Sequence, residues 1–148
     1  MAARFLFDTS VYITALRDEN FAREFRPRYI RDIPRTHFSS VVVQELIAGA
    51  RTFRHRRQAA ALYEPFERAG RIVAPSHIVA CGRWKEVGTV VATLAEKAPQ
   101  WRDKLSHGLL NDILIALSGR SIGATVITRN GEDFRLIRQF QAFALEVI

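Results

Sequence analysis

The apolar positions of this chain fall into two rhythms, short continuous runs and longer stretches with helical spacing. Arg4-Phe5-Leu6-Phe7 is a continuous apolar run that stops at Asp8-Thr9-Ser10, the pattern of a buried parallel strand. A helix is expected from Val11 to about Asp18. Phe21, Phe25, Tyr29 and Ile30 then recur at helical spacing within Asn20 to Arg35, with Arg23, Arg26, Arg28 and Arg31 between them and a kink or break expected at Pro27. Thr36-His37-Phe38 reads as a brief strand, and Ser39 or Ser40 can cap a helix running to about Ala50. A helix over Arg54 to Ala69 stops at Gly70, and Arg71 to Pro75 follows as a strand. Helical spacing returns from Ser76 to about Lys97 and again up to about Arg120. Gly123 to Thr128 is a strand, Asn130-Gly131 a turn, Asp133 to Arg138 a short helix, and Ala142 to Val147 a last strand. Strands alternating with helices in this way predict an α/β fold on a parallel sheet.

Size and composition narrow the class. A chain of 148 residues that is 48% hydrophobic can bury one core and is read as a single domain spanning 1–148. The longest apolar stretch, Leu109 to Leu117, is broken by Asn111 and Asp112 and is far shorter than the roughly 20 residues of a membrane span. With Met1-Ala-Ala-Arg4 leading straight into the first strand, the sequence lacks the pattern of a signal peptide, so a cytoplasmic location is expected. The single cysteine, Cys81, excludes an internal disulfide and a thiolate cluster, and is expected as a small buried hydrophobe. No GxxxxGK[ST] loop is present, which leaves ATP and GTP chemistry unsupported. The net charge is +7 and arginine far outnumbers lysine, a bias that suits phosphate recognition by guanidinium forks.

Four acids stand out against this background. Asp112 lies in Leu109-Leu110-Asn111-Asp112-Ile113-Leu114-Ile115-Ala116-Leu117, apolar on nearly every face and therefore a buried helix. A carboxylate there must meet a cation, a set of donors or a proton, because an unpaired buried ion costs several kcal/mol. Asp8 ends a buried strand, where ligand sites of open parallel sheets lie; it could instead cap the next helix, although Thr9 and Ser10 stand closer to its start. Glu45 falls at the edge of an apolar stripe near Val42 and Gly49 and can either reach inward or stay solvated. Asp133 follows a strand end and can belong to a site, cap the short helix, or pair with Arg135 or Arg138.

Taken together, the four can converge on one edge of one sheet. Clustered carboxylates raise one another's pKa and are tolerated when cations neutralise them. Oxygen ligands without cysteine or paired histidine favour Mg²⁺ or Mn²⁺, ions that activate water and stabilise the leaving oxygen of a phosphodiester. Elsewhere, Arg51-Thr52-Phe53-Arg54-His55-Arg56-Arg57 can grip RNA phosphates or form a solvated helix face. His37, His55, His77 and His107 lack ligand spacing and read as structural or exposed. Trp84 and Trp101 read as core or dimer contacts.

Four stretches in order resemble the PIN-domain ribonucleases, and among them the VapC-type toxins of toxin–antitoxin pairs. They are Phe5-Leu6-Phe7-Asp8-Thr9-Ser10-Val11, Val43-Gln44-Glu45-Leu46, Leu110-Asn111-Asp112-Ile113-Leu114-Ile115-Ala116, and Gly123 to Asn130 continuing through Asp133-Phe134. The resemblance implies a PIN-like central parallel sheet flanked by helices. It implies that Asp8, Glu45 and Asp112 bind Mg²⁺ or Mn²⁺ with Asp133 as a more variable fourth acid, supported by Thr9, Thr128 and Asn130. It further implies cleavage of RNA, such as tRNA or rRNA, by a homodimer that a small antitoxin protein inhibits. A metal-dependent phosphohydrolase and a non-catalytic basic RNA-binding module are the rival expectations.

Overall fold

Five strands pair in the order β3-β2-β1-β4-β5, and every pairing is parallel. They are β1 (Arg4–Phe7), β2 (Thr36–Ser39), β3 (Ile72–Val73), β4 (Ala124–Thr128) and β5 (Ala144–Val147). The computed structural model describes residues 2–75, 84–98 and 107–148. Central β1 pairs with β2 through Phe5 and Leu6, and with β4 from Arg4 opposite Ala124 to Phe7 opposite Ile127. The chain builds one half of the sheet outward from β1 to β3 and the other from β4 to β5. The direction of winding therefore reverses beside β1, and the carboxyl ends of β1 and β4 flank that switch point, where open α/β sheets bind ligands.

Parallel strands need crossovers, and these are the helices α1 (Thr9–Arg17), α2 (Glu19–Asp32), α3 (Ser40–Gly49), α4 (Phe53–Arg68), α5 (Trp84–Lys97), α6 (His107–Ser121) and α7 (Gly131–Phe140). Helix α1 starts two residues before the expected Val11 because Asp8 is itself the N-cap: its side chain accepts from the Ser10 N–H at 3.3 Å. Pro27 does not break α2, which runs unbroken from Glu19 to Asp32. Its aromatic stripe explains the continuity. Phe25 and Tyr29 pack edge-on against Phe7 of β1 at 5.6 and 5.5 Å between ring centroids, offsetting the hydrogen bond that proline forfeits. Ser39 caps α3, its hydroxyl accepting from the Val41 N–H. At the end of α4, Gly70 takes φ of +66°; its N–H reaches Glu67 O while that of Arg71 reaches Phe66 O, the doubly bonded stop that a left-handed glycine permits.

Several bounds differ from expectation. The third strand is two residues long rather than spanning Arg71 to Pro75, and the last begins at Ala144 rather than Ala142. Asn130-Gly131 is no separate turn, since Gly131 already opens α7, which continues to Phe140 beyond the expected Arg138. The expected helix from Ser76 is described from Trp84 onward. Its first eight positions, together with Cys81, His77 and Trp101 and the side chains of Trp84 and His107, lie outside the described residues.

Leu6, Phe7, Phe38, Val126 and Ile127 of the strands, Ile113, Ile115, Ala116 and Leu117 of α6, and Phe134 and Ile137 of α7 are all essentially inaccessible to water. Helix α6 is buried almost all round, as its uniformly apolar sequence predicts. It approaches β4 so closely that a Cβ on Gly119 would lie 2.6 Å from Val126 Cγ2. Among the described residues no helix is long and apolar enough to cross a membrane.

Candidate active site

All four acids line one cleft of about 430 Å³ at the carboxyl end of the sheet, together with Thr9, Ser10, Ile13, Gly108, Leu109 and Asn130. Each arrives from a different element. Asp8 ends β1, Glu45 projects from α3, Asp112 from α6, and Asp133 from the first turn of α7.

Asp8 is held from three sides at once. The Ser10 N–H, the Ser10 hydroxyl at 2.7 Å and the Thr128 hydroxyl at 2.9 Å all donate to its Oδ2. Ser10 Oγ also accepts from the Arg129 N–H, and Thr128 Oγ1 from the Asn130 N–H, so the ends of β1 and β4 are stitched together around one carboxylate. Burial pushes the Asp8 pKa up further than these donors pull it down. Capping the helix and lining the cleft are thus not alternatives for Asp8, because one carboxylate does both.

Glu45 is half-buried and turned into the cleft, accepting from the Thr9 hydroxyl and from Asn111 Nδ2 at 3.1 Å. Asp133 accepts from Asn130 Nδ2 at 2.9 Å and forms no ion pair with Arg135 or Arg138. Thr9, Thr128 and Asn130 are therefore the hydrogen-bonding supports of Glu45, Asp8 and Asp133 respectively. Ser10 and Asn111 join them, and neither was singled out from the sequence. Asn111 carried a signal, since a second polar residue beside Asp112 in an otherwise apolar helix also needs a partner.

Asp112 differs from the other three. It is 9% exposed, and among the described residues no hydrogen bond or ion pair reaches its carboxylate. Burial first, then the negative charges of Asp8, Asp133 and Glu45, push its pKa up to about 9. A buried acid raised by three neighbouring acids is an electrostatic debt that a cation removes. Among the described residues the cleft wall offers carboxylate and hydroxyl oxygen with no imidazole or thiol, a donor set that suits a hard divalent ion. Among the described residues no three His, Cys, Asp or Glu side chains stand close enough together to enclose an ion by themselves.

The exposed guanidinium of Arg129, the residue before Asn130, lies 4.4 Å from the centroid of the Phe21 ring. An aromatic face thus holds this cation in place.

The PIN domain family model matches residues 5–139, and the chain belongs to that family. No curated protein sequence matches it. Among solved structures it is similar to the crystal structure of DNA-bound VapBC from Salmonella typhimurium, at 22% identity and a TM-score of 0.68, covering 99% of this chain and 98% of that one.

Proposed function

We propose that this chain is a divalent-metal-dependent endoribonuclease, the toxin of a toxin–antitoxin pair, acting as one PIN domain with Asp8, Glu45, Asp112 and Asp133 as its site acids. The observation that carries the proposal is Asp112, a buried carboxylate unpaired among the described residues and facing three others in a cleft at the switch point of the sheet. Family membership and the likeness to a VapBC complex support the nuclease and antitoxin parts of the reading. Net positive charge supports a polyanionic substrate, and RNA is the one we assign. The working form we assign is a homodimer.

Asp8 and Asp112 would hold Mg²⁺ or Mn²⁺, with Glu45 and Asp133 completing the set directly or through water. The ion, when bound, lowers the pKa of water, polarises the phosphoryl oxygen and stabilises the leaving oxygen. The protein's share is positioning. Thr128 and Ser10 keep the Asp8 carboxylate aimed across the cleft, Thr9 and Asn111 hold Glu45 inward, and Asn130 steadies Asp133.

The test is cleavage of RNA by purified wild type and Asp112→Asn in Mg²⁺, Mn²⁺ and EDTA, with circular dichroism to establish folding. Cutting by metal-loaded wild type alone supports the proposal. Cutting by folded Asp112→Asn at the wild-type rate refutes it, and turnover of a simple phosphate ester with RNA left intact replaces it with a phosphohydrolase.

A further inference from the structure

The acid cleft shares a wall with a second hollow. Glu45 and Ile13 also line a groove of about 160 Å³ between α1, α3 and α4, whose other walls include Arg17, His55 and Gln58. Gln58 in turn lines a depression on the outer face of α4 with Phe53, Arg54 and Arg57. The three hollows therefore share walls in succession, from the carboxylates to a basic and aromatic edge.

That edge is costly to the protein itself. Residues 51–57 are all exposed, four of them arginines, and Phe53 is 73% exposed with the Arg57 guanidinium 5.9 Å from its ring centroid. Cations crowd the first turn of α4, the end at which the helix dipole is already positive, and Arg54 and Arg57 repel across three residues. Among the described residues Arg17, Arg51, Arg54, Arg56 and Arg57 form no ion pair. Among the described residues no acid neutralises these charges, and the Phe53 ring, beside the Arg57 guanidinium, stays largely in water. A ligand with closely spaced negative charges and flat apolar faces satisfies both.

We infer that a single RNA strand leaving the acid cleft runs through the α1–α3–α4 groove and onto the first turns of α4, where Phe53 stacks a base and Arg54 and Arg57 hold phosphates. This rests on the reading of the acid cleft as an RNA-cutting site and adds a path for the substrate beyond it. A single strand is required, because only an unpaired base presents its face to a ring on an open surface. An acidic protein segment would match the arginines but leaves unexplained why the groove shares a wall with the acid cleft.

The experiment is fluorescence anisotropy of the full chain with a labelled single-stranded RNA of about 12 nucleotides, in EDTA so that binding is read apart from cleavage. Phe53→Ala should weaken binding about 5- to 100-fold and Phe53→Trp should preserve it. Replacing Arg54 and Arg57 with Gln should flatten the plot of log affinity against log salt by about 0.7 for each phosphate that is no longer neutralised. Wild-type affinity and salt slope in both variants, with circular dichroism unchanged, overturn the inference. So does Phe53-dependent binding of a polyglutamate peptide with no binding of RNA, which assigns the surface to an acidic protein partner. If RNA binds with the expected dependence but is not cut in Mg²⁺ or Mn²⁺, the strand path stands and the nuclease reading alone falls.

Discussion

Replacing Asp112 with Asn should make the metal-free protein more stable while abolishing the proposed RNA cleavage. Asn keeps the shape of the neutral acid but cannot ionise. In the folded chain the Asp112 pKa is raised from 3.8 to about 9, so between those values the unfolded chain has released a proton that the native one retains. The native state then binds more protons, and its stability falls as pH rises. The contribution is fully present below about pH 4 and is progressively lost up to the folded value near 9. Each pH unit in that window corresponds to about 1.4 kcal/mol, and the three units to neutrality to about 4 kcal/mol. Asp112 is 9% exposed, so solvent screening removes little of this. Asp112→Asn should therefore exceed wild type by up to about 4 kcal/mol at pH 7 in EDTA, or roughly 8–16 °C in melting temperature for a chain of this size. Urea unfolding at a series of pH values measures the gap, which should widen with pH and close near pH 4. Mg²⁺ at a hundred times its Kd should return about 2.7 kcal/mol to wild type and less to the variant. A variant no more stable than wild type in EDTA at pH 7, or a gap independent of pH, refutes the electrostatic argument.

Three further outcomes follow from the geometry. Asn111→Ala removes the amide that holds Glu45 and should cost about 10-fold or more in metal affinity or RNA cleavage, read by Mn²⁺ titration and initial rates, with folding unchanged. Gly119→Ala drives a methyl group into Val126 and should lower stability by about 1–3 kcal/mol in urea, since neither α6 nor β4 can yield without disturbing the core. Asp32, whose side chain is covered by Arg28, Arg31 and Arg35, has a pKa lowered chiefly by its hydrogen bonds from Arg31, so its contribution exists above its unfolded pKa and fades as pH falls through the folded one. Asp32→Asn should cost about 1 kcal/mol at pH 7, the modest figure reflecting partners that remain in water, and the difference from wild type should vanish in acid.

How much of the fold was legible depended on whether its cause was local. The apolar run before Asp8, the all-round apolar character of α6 and the glycine that halts α4 are consequences of period and backbone freedom within a few residues, and a sequence displays them directly. Pro27 misled for the same reason. Its local cost is real, but the packing of Phe25 and Tyr29 on Phe7 is a tertiary contribution that no window around residue 27 contains. Two of the acids announced themselves in part: Asp112 by being charged in an apolar helix, and Asp8 by ending a strand. Glu45 and Asp133, by contrast, look like ordinary surface and turn residues until the partners that turn them inward are in place.

By itself, then, the sequence determined the alternation of strands and helices, the buried environment awaiting Asp112 and the basic character of the surface, because each follows from side-chain chemistry and spacing along the chain. The tertiary structure decided what those acids meet. Thr128 reaches Asp8 across 120 positions and Asn111 reaches Glu45 across 66, contacts that exist because β1 lies between β2 and β4 in parallel register. Parallel strands place all their carboxyl ends on one edge, and only the order in which they pair determines which loops and helices share the cleft there.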